Sequence, residues 1–236
     1  MSEAESERGG GRWRRGARIA FLLLSAPTLL VAALYAVLYL QPGHEPTPGA
    51  LPAAASVTSA ALAWPKQGKN QCGAYSLALA LRVYGHEAEG ADLVDVVSHR
   101  LSWSEALSGT LPWKIQGELS RRRLTRETFT AAGHPAQDRL GPVRAHLAAG
   151  APVLLLIESE RGSQHYVLAL GYSSAGLDLY DPNFTPDPAR PEVTLDDNGE
   201  RPGNRTLSEA RVLELWSRGG GGGLYRWWYL PVRSLS

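Results

Sequence analysis

The chain has 236 residues, long enough for one sizeable domain or two small ones, and its 44% hydrophobic content marks it as globular. A net charge of +1 offers nothing for a polyanion, so nucleic acid is not an expected partner. One cysteine excludes an intramolecular disulfide, and without a cysteine cluster or a recognisable cofactor motif neither metal nor cofactor is expected.

The N-terminal quarter stands apart. Residues 1–18 carry Arg8, Arg12, Arg14, Arg15 and Arg18, and Ile19 to Leu40 carries no charge. As a helix that apolar segment would be roughly 33 Å long, enough for a bilayer core of about 30 Å. No lysine or arginine follows until Lys66, which predicts a single-pass membrane helix with a cytoplasmic N-terminus and everything beyond Leu40 outside. The competing expectation is a cleaved signal peptide, with Ala53 to Ser56 as the small-residue cleavage region and a secreted product. Residues 41–63, with Pro42, Pro46, Pro48 and Pro52 among small residues, read as a tether with no pattern to bury a core.

From Trp64 to Ser236 the pattern is that of a folded domain. Ala74, Leu77, Ala78 and Leu81 recur at helical spacing and Gly85 supplies a stop, so Cys72 falls in the first turn of a helix. Further helices are predicted over Ala91–Leu101, from a cap at Thr110 through Pro112 to about Arg123, and over Asp138–Ala149 before Gly150. Strand-like runs follow: Pro152–Ser159, His165–Tyr172 and Leu177–Tyr180, with "SSAG" as the loop of a hairpin, and a fourth near Glu192. Thr206 and Glu209 have the spacing of a capping box for a short helix to Trp216. The glycine run Gly219–Gly223 is a loop, and Leu224–Val232 closes the sheet. Helices first and an antiparallel sheet after give an α+β order.

Chemistry concentrates on few residues. A thiol at a helix N-terminus sits at the positive end of the backbone dipole, which favours the reactive thiolate, although a lone cysteine is also a common small core residue. His165 opens the most apolar strand, where a rigid scaffold would hold a base. Asp181 follows "LDLY" at the end of the next strand and is placed to orient an imidazole, although Asp-Pro is also a common turn opener. Gln67, five residues before Cys72, carries an amide suited to a developing oxyanion, with Gln71 a competitor for the same role. The other histidines show no metal-ligand spacing.

Together "NQCGAYSLALALRVYG", "GTLPWKIQGEL", "HYVLALGY", "LYDPN" and "LSEARVLELW" resemble the papain-like cysteine peptidases, and most closely their bacteriocin-processing branch, whose members cleave leader peptides after a double glycine. The resemblance covers about Trp64 to Val232. It implies a papain-like fold of N-terminal helices on an antiparallel sheet, a peptide or protein substrate, Cys72 as nucleophile, His165 as general base and acid, Asp181 as its orienter and Gln67 as oxyanion donor. The glutamine stands one residue nearer the cysteine than in the family pattern, and no transporter or ATPase segment accompanies the domain. Two functions are therefore set side by side: a membrane-anchored thiol hydrolase, or a transpeptidase or amidase using the same triad, and a non-catalytic module that binds a peptide.

The hairpin register decides whether a triad forms. With "SSAG" as the whole loop, Tyr172 pairs with Leu177 and Asp181 lies opposite Leu168, on the face away from His165. A three-residue loop centred on Ser173, or a bulge in either strand, restores the shared face.

Overall fold

The computed structural model describes residues 27, 29, 30, 32, 43, 45, 47–57, 63–101, 104–125, 127–159, 162–184, 202–219 and 225–235. The chain divides into two units, Met1–Gln41 and Pro42–Ser236. In the first, the four described residues Pro27, Leu29, Leu30 and Ala32 are helical and exposed. The predicted membrane span, Ile19–Leu40, otherwise lies outside the described residues, and among these no helix is long and apolar enough to cross a membrane. The strand expected near Glu192 and the glycine run after Gly219 also lie outside them.

The second unit is a mixed fold of helices and antiparallel sheet. In chain order its elements are β1 (Ala55–Ser56), α1 (Cys72–Val83), α2 (Gly90–Val97), β2 (Ser98–Leu101), β3 (Ser104–Thr110), α3 (Pro112–Arg121), β4 (Phe129–Thr130), α4 (Gly141–Ala148), β5 (Val153–Glu158), β6 (Gln164–Ser173), β7 (Gly176–Tyr180), β8 (Arg205–Leu207), α5 (Glu209–Ser217) and β9 (Trp228–Pro231). A one-turn 3-10 helix, Ala136–Asp138, precedes α4.

The main sheet runs β4-β9-β5-β6-β7-β8, with β1 paired to the far end of β6, and every pairing is antiparallel. Alternate residues of its central strands, Val153, Leu155 and Ile157 on β5 and Val167 and Ala169 on β6, join one core with Val143 and Leu147 of α4 and Val212, Leu215 and Trp216 of α5. The intervening Leu154, Leu156, Tyr166 and Leu168 are buried as well, so both faces are covered and β5 and β6 read as continuous apolar runs. Helix α1 lies along β6, and its Ser76 hydroxyl donates to the Tyr166 carbonyl (3.2 Å).

Several local expectations change. The predicted second helix stops at Val97, and Ser98–Leu101 pairs with Ser104–Thr110 as β2 and β3 instead. Thr110 ends β3 rather than capping α3; its hydroxyl meets Ser98 Oγ at 2.9 Å, and Leu111 takes the cap position. Thr206 belongs to β8, its hydroxyl donating to Asp178 Oδ1 (2.8 Å), so the cap of α5 moves to Ser208, which accepts from Arg211 N. Gly85 and Gly150 follow their helices with φ of +75° and +80°, the left-handed stop expected of them.

The largest correction concerns residues 41–63, read as a tether. Gly43 bonds the Thr128 and Thr130 backbone, Tyr172 Oη donates to the Pro52 carbonyl (2.9 Å), β1 extends the sheet and Val57 is buried in its core. Glu45 accepts from Tyr229 Oη (2.8 Å) and meets His146 Nε2 at 2.7 Å. Residues 43, 45 and 47–57 form a strap on the domain. Their attachment is made by backbone groups and isolated side chains, which leave no hydrophobic period in the sequence.

Candidate active site

Cys72 is the first residue of α1 and partly exposed. No acidic residue stands in the first turn to offset the helix dipole, and no side chain caps it. Gly73 is dictated by β3: a Cβ there would lie 2.4 Å from Thr110 Cβ. The absence of a side chain is what lets the helix start this close to the hairpin. Before the helix, Asn70 takes a left-handed φ of +59° and Gln71 Oε1 accepts from Gly68 N (2.9 Å), closing the loop on itself.

His165 and Asp181 meet through the bulge. The hairpin tip is Ser174-Ala175, with Ser173 opposite Gly176 and Tyr172 opposite Leu177, which is the register that by itself would separate acid from base. Between Ala169 and Gly171 the pairing then shifts by one residue, so Leu168 faces Tyr180. Continuing that register, Asp181 falls opposite Val167, two residues from His165 and on the same side of the pleat. The core records the same shift: Val167, Ala169 and Tyr172 share a side with Leu177 and Leu179. Gly171 makes the bulge possible, since a Cβ there would lie 3.0 Å from both the Ala55 carbonyl and Pro202 Cγ. The carbonyl of the extra residue, Leu170, is taken by Val57 N (2.7 Å).

The resulting geometry is compact. His165 Nε2 lies 2.7 Å from Asp181 Oδ1, both side chains being about 5% exposed, and the Cys72 thiol is hydrogen-bonded to the imidazole. Since Nε2 faces the carboxylate, Nδ1 is the nitrogen left for sulfur. Asp181 is fixed from three further directions: Arg205 Nη1 donates to Oδ2 (2.6 Å), Asn183 N to Oδ1 (3.0 Å), and the Asn204 amide bonds both the Asp181 N–H and its carbonyl.

Electrostatics follow from these contacts. Burial raises the thiol, but the hydrogen bond and charge of His165, with backbone groups of Tyr166 and Gly73, hold it below its ordinary value. Burial alone would lower His165; the Asp181 charge and hydrogen bond outweigh it and push the imidazole up to about 10. Burial disfavours the Asp181 carboxylate, yet His165 and Arg205 keep it well below the usual range. All three shifts favour thiolate, imidazolium and carboxylate in a row.

Gln67 N donates to the Pro182 carbonyl (2.9 Å), and Tyr180 Oη donates to the Pro65 carbonyl (2.5 Å), so the loop ahead of Cys72 is fastened to the segment carrying Asp181. Gln67 Oε1 is buried and lacks a hydrogen-bond partner among the described residues, whereas Gln71 is engaged in its own loop. Among the described residues no group of three or more His, Cys, Asp or Glu side chains can hold a metal ion.

Sequence reasoning missed Arg205 and Asn204. "NRT" reads as a glycosylation acceptor or a helix cap, while its partner is a carboxylate 24 residues away. The one available signal is that Arg205 stands two residues from Leu207, on the core-facing side of β8.

No known family profile matches the chain, and no curated protein is similar to it. Among solved structures it is similar to the peptidase domain of Streptococcus ComA, a bifunctional ABC transporter involved in a quorum-sensing pathway. Identity is 17% and the TM-score 0.43, over 72% of this chain and 96% of that one. It is also similar to a Bacillus anthracis protein described as a C39-like peptidase, at 13% identity and a TM-score of 0.47, over 78% of this chain and 99% of that one. Both structural neighbours are described as peptidases.

Proposed function

We propose that the protein is a thiol hydrolase that cleaves a peptide or isopeptide bond through an acyl-enzyme on Cys72. The observation that carries this is the row Cys72–His165–Asp181, in which a helix-terminal thiol bonds an imidazole whose far nitrogen lies 2.7 Å from a buried carboxylate.

The steps follow from the protonation states. The Cys72 thiolate attacks the carbonyl carbon, a C–S bond forms, and the carbonyl oxygen takes the negative charge. The Cys72 N–H at the open helix end and the Gln67 amide are the donors for that oxygen. A half-turn of the amide exchanges its two ends, so Nε2 fits the buried position now held by Oε1. As the C–N bond breaks, His165 Nδ1–H gives its proton to the leaving amine. The neutral ring then takes a proton from water, which attacks the thioester and returns the thiolate and imidazolium. Asp181 keeps Nε2 protonated throughout and directs Nδ1 at sulfur and substrate.

A peptide-like electrophile such as an acyloxymethyl ketone tests this. Mass spectrometry is expected to find it on Cys72, with the rate falling at least about 10²-fold in His165→Ala. An unchanged rate in that variant overturns the proposal. The anchor belongs to the same proposal: Ile19–Leu40 holds the domain on the far side of a membrane, with the basic N-terminus in the cytoplasm. A reporter that works only in the cytoplasm, fused after Ser236, is expected to be silent, and its activity would reverse the orientation.

A further inference from the structure

Arg205 has no part in the steps above, yet it completes the buried cluster. It stands on β8 opposite Leu179, hence on the same side of the sheet as Asp181, and its side chain is 4% exposed. The two oxygens of Asp181 are divided between two cations: Oδ1 faces His165 Nε2 and Oδ2 faces Arg205 Nη1, at 2.7 and 2.6 Å. The guanidinium carbon also lies 5.2 Å from the centre of the Phe184 ring, on the segment that follows Asp181. With thiolate, imidazolium, carboxylate and guanidinium the charges sum to zero. With thiol and neutral imidazole they still sum to zero.

We infer that Arg205 is a positioning residue of the site: it keeps Asp181 turned toward His165 and offsets its charge, so that a proton passes between Cys72 and His165 within a cluster of constant zero net charge. This rests on the thiol-hydrolase function proposed for Cys72. Without Arg205 the same cluster would carry one uncompensated negative charge in the interior, and His165 would hold its proton against release.

The surroundings leave this role to Arg205. Facing the cluster are Cys72 from α1 and His165 from β6; on the other side of the pleat lie Tyr166 of β6 and Tyr180 of β7, whose hydroxyl is spent on Pro65. Asp178 of β7 alternates to the other side and accepts from Thr206. Arg82 and Tyr75 of α1 bear on Tyr180, and Lys66 and Lys69 lie exposed on the loop before α1.

The test compares Arg205→Gln, which removes the charge, with Arg205→Lys, which keeps it. Two readouts are needed: the pH dependence of Cys72 alkylation by iodoacetamide, and the NMR titration of the His165 ring. In Arg205→Gln both titrations are expected to move to higher pH, that of His165 by about one unit, and in Arg205→Lys to return to their wild-type positions. A scaffold role would lower amplitude or melting temperature and leave both midpoints in place; that result in Arg205→Gln overturns the inference. If Arg205→Gln does not fold, Arg205→Met takes its place: both midpoints displaced upward support the role of charge, and unmoved midpoints overturn it. A wild-type thiol that titrates once, near 8.5, with no response to His165→Ala, would instead remove the function proposed for Cys72.

Discussion

The reactive state of the site is set by the charges of Cys72, His165 and Asp181, and each is shifted by its neighbours. The imidazole of His165 is raised to about 10, so the imidazolium that sustains the Cys72 thiolate is present below that value and lost above it. The thiol lies below its ordinary value, so the ion pair forms at lower pH than a free cysteine would ionise. Alkylation by iodoacetamide is therefore expected to set in at lower pH than for a free cysteine, with the imidazolium retained up to about 10, and His165→Ala to leave a single titration near the free-cysteine value of about 8.5. Asp181→Asn keeps the shape but presents the imidazole with the wrong charge, and turnover is expected to fall by about 10²–10⁴-fold. Gly73→Ala tests the approach of helix and hairpin. A methyl 2.4 Å from Thr110 Cβ must displace one of them. Since Thr110 is tied to Ser98, the start of α1 and Cys72 with it should move, at about 1–3 kcal/mol in urea unfolding and with loss of thiol reactivity.

Among the elements, the β6–β7 hairpin carries most of the function, through one extra residue. Gly171→Ala is expected to strain the bulge against the Ala55 carbonyl and Pro202, lowering stability by about 1–3 kcal/mol and weakening thiol activation together. Ser208→Ala removes the bond that caps the α5 N-terminus, accepted from Arg211 N, and is expected to cost about 1 kcal/mol with reactivity unchanged, a control outside the site. How much of this the sequence discloses depends on where the determining contact lies. Helix α1 is legible because Ala74, Leu77, Ala78 and Leu81 repeat within one element, and β5 and β6 because both faces are buried. The bulge is legible only as a requirement: alternation shows that a shift is needed, while its position is fixed by packing of Gly171 against β1. The β2–β3 hairpin and β8 are short and polar, and their strand character comes from pairing partners rather than local pattern. Cys72, His165 and Asp181 are legible because each marks an element end; Arg205 is not, because its partner is remote.

For the whole molecule, the strap is the feature that changes most relative to the expected organisation. Removing residues 1–63 strips the sheet of β1 and the core of Val57, and leaves Leu170 O, His146 and Tyr229 without their partners. A protein beginning at Trp64 is therefore expected to melt below one beginning at Pro42, as scanning calorimetry would read directly. The strap also imposes an order on the making of the chain. Pro52 is synthesised 120 residues before the tyrosine that grips it, a delay of roughly 6–24 s at ordinary translation rates. Throughout that interval residues 43–57 have no sheet to join, and the bonds around Ala53–Ser56 stand open to a processing enzyme. Once Tyr172 has emerged and β6 has formed, Ala55 and Ser56 are held in a strand pairing, and the opportunity to cut between them closes with folding.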